Sequence, residues 1–239
     1  MNMLSDKEIT GAGLTDWRKL AQGLHARYLT EGFSSGARFV SAVAEAAGPA
    51  GHHPSVAIGA RHVDLELVSA DAVYRDENGT EHVVEWVTQQ DLDLARRITG
   101  IAADHRLQPD PAAVSVIELG LDTANSAAVA PVWAALLTGA PSAQGHGSPS
   151  DEVRDATGRV PNLWFGEADG NAAQRFHVEV YVPAEVAEER IAAAIAAGGT
   201  VLDGSRSPSL TIIADPDGNT GVLCVALLPE ADGPSEADG

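Results

Sequence analysis

The chain contains little cysteine and no long apolar run. Only one cysteine occurs among the 239 residues, Cys224, which excludes an intrachain disulfide and a metal site built from several thiols. It lies within the apolar run 221–227, a context typical of a packed core thiol rather than a nucleophile. No apolar stretch reaches the length that crosses a bilayer, so we expect a globular protein without a membrane span.

Basic residues are scarce as well, with 15 Lys and Arg against 34 Asp and Glu and a formal net charge of −19. A field of this sign repels phosphate backbones and anionic lipid, so we expect no nucleic-acid or membrane partner. Residues 1–10 lack the basic and apolar segments of a secretory signal, which predicts a cytoplasmic protein. The Pro, Gly and acidic residues of 229–239 predict a disordered tail.

The first hundred residues alternate between helical and extended patterns. Apolar residues recur every three or four positions over 14–29, which predicts an amphipathic helix with an N-cap at Thr15 or Asp16. A break or short strand is predicted at 32–35, and a second helix at 37–47. Strands are predicted at 55–58 and 62–69.

A hairpin and a third helix complete this part of the chain. Asn78-Gly79 stands between two extended segments within 74–86, a strong signal for a tight turn. Thr88 then caps a helix that continues through Ile101, with Asp91 at its third position as in a capping box.

The segment Gln108-Pro109-Asp110-Pro111 interrupts every pattern and is predicted to separate two domains, at 14–107 and 113–228. The second domain contains two similar orders of strand, helix and strands, which indicates an internal repeat. Its strands are predicted at 114–121, 162–166, 175–182, 210–214 and 222–227, and its helices at 126–138 and 185–197.

The most informative motif is His52-His53-Pro54, in a loop between a predicted helix and a predicted strand. Imidazole donates and accepts protons near neutral pH, so two in one turn could serve as acid and base at one substrate. The alternative is a helix-ending loop whose imidazoles only satisfy backbone groups. We favour the functional interpretation because packing alone does not explain two such side chains in one loop.

Further motifs surround this pair in a recognisable order: Phe39-Val40, Val43-Ala44-Glu45, Val63-x-Leu65-x-Leu67 and Val87-Thr88-x-x-Asp91-x-x-Leu94-Ala95-x-x-Ile98. With His52-His53-Pro54 they make residues Trp17 to Leu107 resemble the pterin-4a-carbinolamine dehydratases. The resemblance implies an α+β fold with a four-stranded antiparallel sheet backed by helices. It also implies dimers or tetramers that remove water from a 4a-hydroxytetrahydropterin without metal or cofactor.

The resemblance assigns catalysis to three histidines, of which two correspond to His52 and His53 and the third to Ala70. The family's nearby carboxylate, acidic residue and pocket aromatic correspond to Gly48, Ser55 and Val56. Each difference removes polarity or stacking surface, which suits an apolar substrate better than a flat polar pterin.

The predicted hairpin begins where the third histidine is missing, and it is longer than the family's connection. One hypothesis is that it folds over the pocket, with Asp71 and His82 as additional catalytic groups and Tyr74 and Trp86 joining Val56 in substrate binding. The alternative is a solvated surface hairpin.

Residues Ala113 to Leu228 carry a second set of motifs: Glu118-x-x-Leu121-Asp122-Thr123, Leu163-Trp164-Phe165, Arg175-Phe176-His177 and Asp215-Pro216-Asp217-Gly218-Asn219. These resemble the vicinal-oxygen-chelate or glyoxalase-like superfamily, which implies a paired βαβββ domain.

The glyoxalase-like resemblance also implies four metal-ligand positions. Glu118, Glu167 and His177 occupy three of them, whereas the fourth falls on Thr220 or Val222, neither of which is a good ligand. We therefore expect no metal, with those three residues as weak candidates.

The leading functional hypothesis is a cofactor-free, metal-free lyase acting on a small-molecule substrate as a homodimer. One alternative is a scaffold repurposed to dehydrate or cyclise an apolar polyketide-type metabolite, including by pericyclic reaction, in which shaping the substrate supplies the rate. A second alternative is a non-catalytic binding or dimerisation protein. Fold resemblance alone does not decide among them.

Overall fold

A computed structural model describes residues 1–48, 52–143, 152–154, 160–167, 175–216 and 218–225. The predicted acidic tail at 229–239 lies outside the described residues. In the described part of the chain, no helix is both long and apolar enough to cross a membrane.

The described residues form five α-helices and fourteen strands. The helices are α1 Asp6–Gly11, α2 Phe33–Ala47, α3 Gln89–Asp104, α4 Ser126–Thr138 and α5 Ala184–Ala196. The strands are β1 Arg18–Leu20, β2 Gly23–Leu29, β3 Ser55–Ile58, β4 His62–Leu67, β5 Ser69–Arg75, β6 Glu81–Trp86, β7 Gln108–Pro109, β8 Val116–Asp122, β9 Glu152–Val153, β10 Leu163–Gly166, β11 Phe176–Val182, β12 Thr200–Arg206, β13 Leu210–Ala214 and β14 Thr220–Val225.

The N-terminal unit is built on an antiparallel sheet in the order β1-β2-β4-β3, with β7 added beside β2. Buried side chains of β2 and β4 form one core with those of α2 and α3, including Tyr28, Phe39, Leu65 and Ile98. This confirms the expected four-stranded sheet backed by helices. Since β7 pairs with β2, part of the predicted boundary at 108–111 belongs to this sheet, and the domain limits 14–107 and 113–228 stay predictions.

The helix predicted over 14–29 is wrong, because this segment forms β1 and β2. Leu24, Ala26 and Tyr28 are buried and alternate with less buried neighbours, so the segment also carries a period of two. Six residues of β2 pair with residues of β4, so that β2 lies inside the sheet. This pairing selects the extended conformation over the helical one. A turn at Ala21, whose φ is 45°, reverses the chain between the strands.

The break or strand predicted at 32–35 is also wrong, because α2 begins at Phe33. Gly36, in its first turns, faces the sheet: an added Cβ would lie 3.1 Å from Val63 Cγ2 and 3.2 Å from Ile58 Cγ2. Glycine at this position therefore serves close packing of the helix on the sheet.

The hairpin and the third helix form as predicted. Strands β5 and β6 make a separate two-stranded sheet whose turn contains Gly79 at a φ of 81°. One extra residue between Ser69 and Ala72 produces a bulge opposite Trp86 and Val84.

The C-terminal unit is a seven-stranded sheet in the order β12-β13-β14-β11-β8-β10-β9. β8 and β11 run antiparallel at its centre, and each has a parallel neighbour from its own half, β10 and β14 respectively. This symmetry agrees with the expected paired βαβββ domain. Strand β12 was not predicted, because every one of its residues is exposed and no apolar alternation marks it.

Candidate functional site

The candidate site is centred on a contact between the histidine loop and the start of α3. Nε2 of His52 lies 2.7 Å from Oδ1 of Asp91, and Asp91 is completely buried whereas the His52 side chain is 16% exposed. The loop that follows α2 is thus tied to the N-terminus of the neighbouring helix. The ring of His52 remains partly accessible from outside.

The second oxygen of Asp91 receives hydrogen bonds from Ser69 and Thr88. Ser69 Oγ donates over 2.7 Å, and the main-chain N–H and hydroxyl of Thr88 donate over 2.7 Å and 3.0 Å. The two hydroxyls are themselves 2.8 Å apart, and both residues are buried. This network supplies from the protein the hydrogen bonds that a buried carboxylate needs.

Asp91 has two structural roles. Its carboxylate forms the capping box predicted at Thr88, and the same carboxylate contacts His52. A carboxylate bound at Nε2 favours the tautomer with its proton there and leaves Nδ1 with its lone pair. It also stabilises the imidazolium that forms when Nδ1 takes a proton. His52 and Asp91 can therefore act together as a general base.

Sequence reasoning missed Asp91 and Ser69 as members of the site. The available signal was the carboxylate of the capping box: an acidic residue on a helix that otherwise contributes apolar residues to the core requires a buried partner. Ser69 carried no signal of its own, because a serine at a strand boundary is ordinary.

His53 is more exposed than its neighbour His52. Its side chain is exposed, and it makes no hydrogen bond to any residue that the structure describes. Ala70, at the position of the family's third histidine, is exposed beside Ser69. The site therefore has one anchored imidazole, one exposed imidazole, and a methyl group at the third position.

The hairpin residues do not converge on His52. His82 Nε2 lies 3.2 Å from Asp76 Oδ2, and its ring stacks on Tyr74 at a centroid distance of 6.2 Å. His82 stands four residues along β6 from Trp86, about 13 Å for an extended strand, and Trp86 is the residue that pairs with Ser69. Asp71 is exposed in the bulge, and its carbonyl accepts from the N-terminal amine over 3.2 Å.

The other two predicted binding residues lie apart. Trp86 donates from Nε1 to the carbonyl of Leu4 over 2.9 Å and packs against the core, with Lys19 Nζ 3.6 Å from its ring centroid. Val56 is 38% exposed on β3 and borders a cleft between the two units. Of the described residues that line this cleft, none is Trp86 or Tyr74.

The weak metal candidates of the C-terminal unit are not assembled either. Glu118 is buried, Glu167 is exposed, and His177 Nε2 lies 3.9 Å from Glu179 Oε1. Within the described ranges, no three His, Cys, Asp or Glu side chains are close enough to hold a metal ion.

Gly120, beside this region, makes room for a ring. An added Cβ there would collide with the His177 ring and lie 3.0 Å from Trp164 Cζ2, and the two rings meet edge to face with their centroids 5.3 Å apart.

Two family profiles match the chain. The profile described as pterin 4 alpha carbinolamine dehydratase matches residues 2–101, and the profile described as glyoxalase-like domain matches residues 118–225. The two matches fall on the two units of the structure.

Individual relatives match the N-terminal unit. A protein of Nocardia farcinica is 33% identical over 102 residues, covering 42% of this chain and 95% of the relative. A protein of Roseiflexus sp. is 35% identical over 100 residues, covering 41% of this chain and 95% of the relative. Both carry the name "Putative pterin-4-alpha-carbinolamine dehydratase".

Among solved structures, a transcriptional coactivator/pterin dehydratase from Brucella melitensis is 27% identical, with 42% of this chain and 99% of that chain covered and a TM-score of 0.35. The assignment follows from the sequence relatives, nearly all of whose length this chain spans at more than 30% identity. The chain belongs to the pterin-4a-carbinolamine dehydratase family through its N-terminal unit, to which a glyoxalase-like domain is joined.

Proposed function

We propose that the N-terminal unit is a cofactor-free lyase that removes water from a carbinolamine, with 4a-hydroxytetrahydropterin as the first substrate to test. The observation that supports it is the 2.7 Å contact of His52 with the buried carboxylate of Asp91. Such a pair provides a base whose protonated form is stabilised, as a dehydration without metal requires.

In this reaction Nδ1 of His52 takes the proton from the substrate nitrogen, and the electron pair of the N–H bond forms a carbon–nitrogen double bond. The carbon–oxygen bond breaks, and the hydroxyl leaves as water after receiving a proton. The exposed imidazole of His53 is the proposed proton donor. The proton held by His52 then passes to solvent, and His53 regains a proton from solvent, so that neither residue is consumed.

The test is the decay of 4a-hydroxytetrahydropterin, followed by its ultraviolet absorbance in the presence of the full chain. We expect decay faster than in buffer, and a rate reduced at least tenfold in His52→Gln. His62→Gln is the matched control, since His62 lies on β4 and contacts Asp64 rather than Asp91. Decay at the buffer rate with the unaltered chain would refute the pterin activity.

The exposed methyl group of Ala70 favours a second candidate, dehydration or cyclisation of an apolar polyketide-type metabolite. Such a substrate needs fewer acid and base groups, because holding a reactive conformer supplies much of the rate. Turnover of a linear polyene or polyketide substrate that is unchanged in His52→Gln would favour this candidate over the carbinolamine lyase.

We also propose a homodimer that acts on a small molecule. Val132 and Leu136 are 64% and 71% exposed one turn apart on α4, an apolar surface of the kind that association covers. Light scattering of the purified chain should give twice the mass of 24.7 kDa. A mass of 24.7 kDa at micromolar concentration would contradict the dimer.

A further inference from the structure

A cleft of about 800 Å³ separates the outer face of the first sheet from the second sheet. The first sheet contributes Gln22, His25 and Glu66 to its walls, and the C-terminal unit contributes Glu118 and Asn162. Neither His52 nor His53 borders it. The cleft is therefore distinct from the site of the proposed dehydration, and its walls require both units.

His25 has a buried nitrogen without a partner. Its side chain is only 13% exposed, and Nε2 forms no hydrogen bond in the part of the chain that the structure describes. Glu66 Oε1, at 3.8 Å, is beyond hydrogen-bond distance. The imidazole also hydrogen-bonds to the main chain of Leu20, and burial lowers its pKa to about 4. The ring is neutral near pH 7, and its Nε2 carries an acceptor lone pair that no described residue engages, in a side chain that lines the cleft.

The carboxylates of the cleft are acceptors too. Glu118 is 4% exposed, and its Oε1 accepts from Asn162 Nδ2 over 3.3 Å. It stands directly across the sheet from Glu179, whose Oε2 accepts from the hydroxyl of Tyr181 over 2.8 Å. Like charges on opposed residues destabilise a sheet, and Asn162 and Tyr181 are neutral donors that do not cancel the negative charge of this pair.

Lys19, a cation of the protein near Glu118, has other partners. Lys19 acts electrostatically on Glu118, but its ammonium donates to the carbonyl of Ala21 and lies over the ring of Trp86. A bare metal ion is disfavoured, since the described residues assemble no group of three His, Cys, Asp or Glu ligands. The volume of the cleft and the apolar side chains at its walls, Val116 and Ile117 among them, instead fit an organic molecule.

We propose that this cleft binds a small organic cation of the amidine or guanidine class, held between the two units. Its adjacent N–H groups pair with the carboxylate of Glu118, while a further N–H donates to Nε2 of His25, and Glu66 adds negative charge at the rim. Ligands of this class match a carboxylate with two parallel hydrogen bonds, which amines without a planar donor pair cannot form.

The test uses benzamidine and its anionic counterpart benzoate, titrated calorimetrically into the full chain at pH 7.5. We expect saturable binding of one benzamidine per chain and no binding of benzoate. In Glu118→Gln the affinity should fall at least tenfold, because a charged partner of the ligand is lost. In Glu45→Gln, which changes an exposed carboxylate on α2, the affinity should be unchanged.

Location is tested with two further variants. His25→Asn should lower the affinity for benzamidine at least threefold. If the ligand occupies the cleft, His52→Gln should leave that affinity unchanged. Glu66→Gln serves as the second carboxylate variant should Glu118→Gln fail to fold, as judged by circular dichroism. Equal binding of benzoate, an unchanged affinity in the folded carboxylate variants, or loss of binding in His52→Gln would each overturn the proposal.

Discussion

Nε2 of His52 lies 2.7 Å from Oδ1 of Asp91, although 39 positions separate the two residues in the sequence. The histidine comes from a loop that follows α2, and the carboxylate comes from the first turn of α3. Asp91 thus joins two elements whose order along the chain gives no indication of their contact.

Asp91→Asn should reduce the rate of dehydration by about 10²–10⁴-fold, because an amide at this position no longer stabilises the imidazolium of His52. It should also lower the free energy of unfolding by about 1–3 kcal/mol, since Ser69 and Thr88 lose a charged acceptor. Asp93→Asn, on the exposed side of the same helix, is the control. A rate equal to that of the control would exclude a role for Asp91 in catalysis.

Ala70→His should increase the rate of pterin dehydration about tenfold or more. The new imidazole would stand beside Ser69, whose hydroxyl contacts Asp91, and could supply an acid or base that the site lacks. Ala70→Gln adds polar atoms without a group that titrates near neutral pH, so it should leave the rate unchanged. An equal rise in both variants would mean that polarity, and not proton transfer, is limiting.

His82→Ala should leave the dehydration rate within about twofold, because the imidazole is bound to Asp76 near the end of the hairpin. Rates are compared with those of His52→Gln under the same conditions. If removal of His82 reduced the rate as strongly as removal of His52, the hairpin would have to fold over the site during turnover, as the sequence hypothesis supposed.

Tyr28→Phe should lower the free energy of unfolding by about 1–2 kcal/mol without changing the fold. The hydroxyl of Tyr28 donates to Asp16 Oδ2 over 3.0 Å and lies 3.3 Å from Thr99 Oγ1, inside the core that β2 shares with α3. Tyr74→Phe is the control, since Tyr74 is 44% exposed. Urea denaturation of both variants measures the difference, and equal values would contradict a structural role of the Tyr28 hydroxyl.

His25→Asn should make the chain less sensitive to acid. Burial lowers the pKa of His25 from 6.5 to about 4, so between these values the unfolded chain binds a proton that the folded chain does not. The stabilisation is complete above pH 6.5 and is lost as the pH falls toward 4. It amounts to about 2–3 kcal/mol between pH 7 and 4.5.

The measurement is urea denaturation at pH 7 and 4.5, for the unaltered chain, for His25→Asn and for the half-buried control His62→Asn. The drop in the free energy of unfolding should be smaller only in His25→Asn. An equal drop in all three proteins would show that His25 is protonated as readily in the folded chain as in the unfolded one.

Features that depend only on residues within one helix or one turn were predictable from the sequence. The turn at Asn78-Gly79 formed because glycine adopts the positive φ that a tight turn requires, and the cap at Thr88 formed because its hydrogen bonds lie within one turn of helix. The bounds of α4, 126–138, agree with the prediction, and the end of the helix is marked locally by Gly139, which adopts the left-handed conformation there.

The segment 14–29 was not predictable in the same way. Its apolar residues satisfy both a helical spacing and an alternation, and pairing with β4, nearly forty residues away in sequence, selected the strand. Such pairing is invisible to local propensity, because the partner decides which period buries the apolar side chains.

The sequence by itself determined the family, the α+β class and the presence of two imidazoles in one loop, because these follow from motif order and local periodicity. Only the tertiary structure decided which imidazole is anchored, since Asp91, Ser69 and Thr88 meet His52 through packing of α3 beside the loop. It alone placed His25 and Glu118 in one cleft, because contacts between separate units depend on how their surfaces face each other and not on neighbours in the chain.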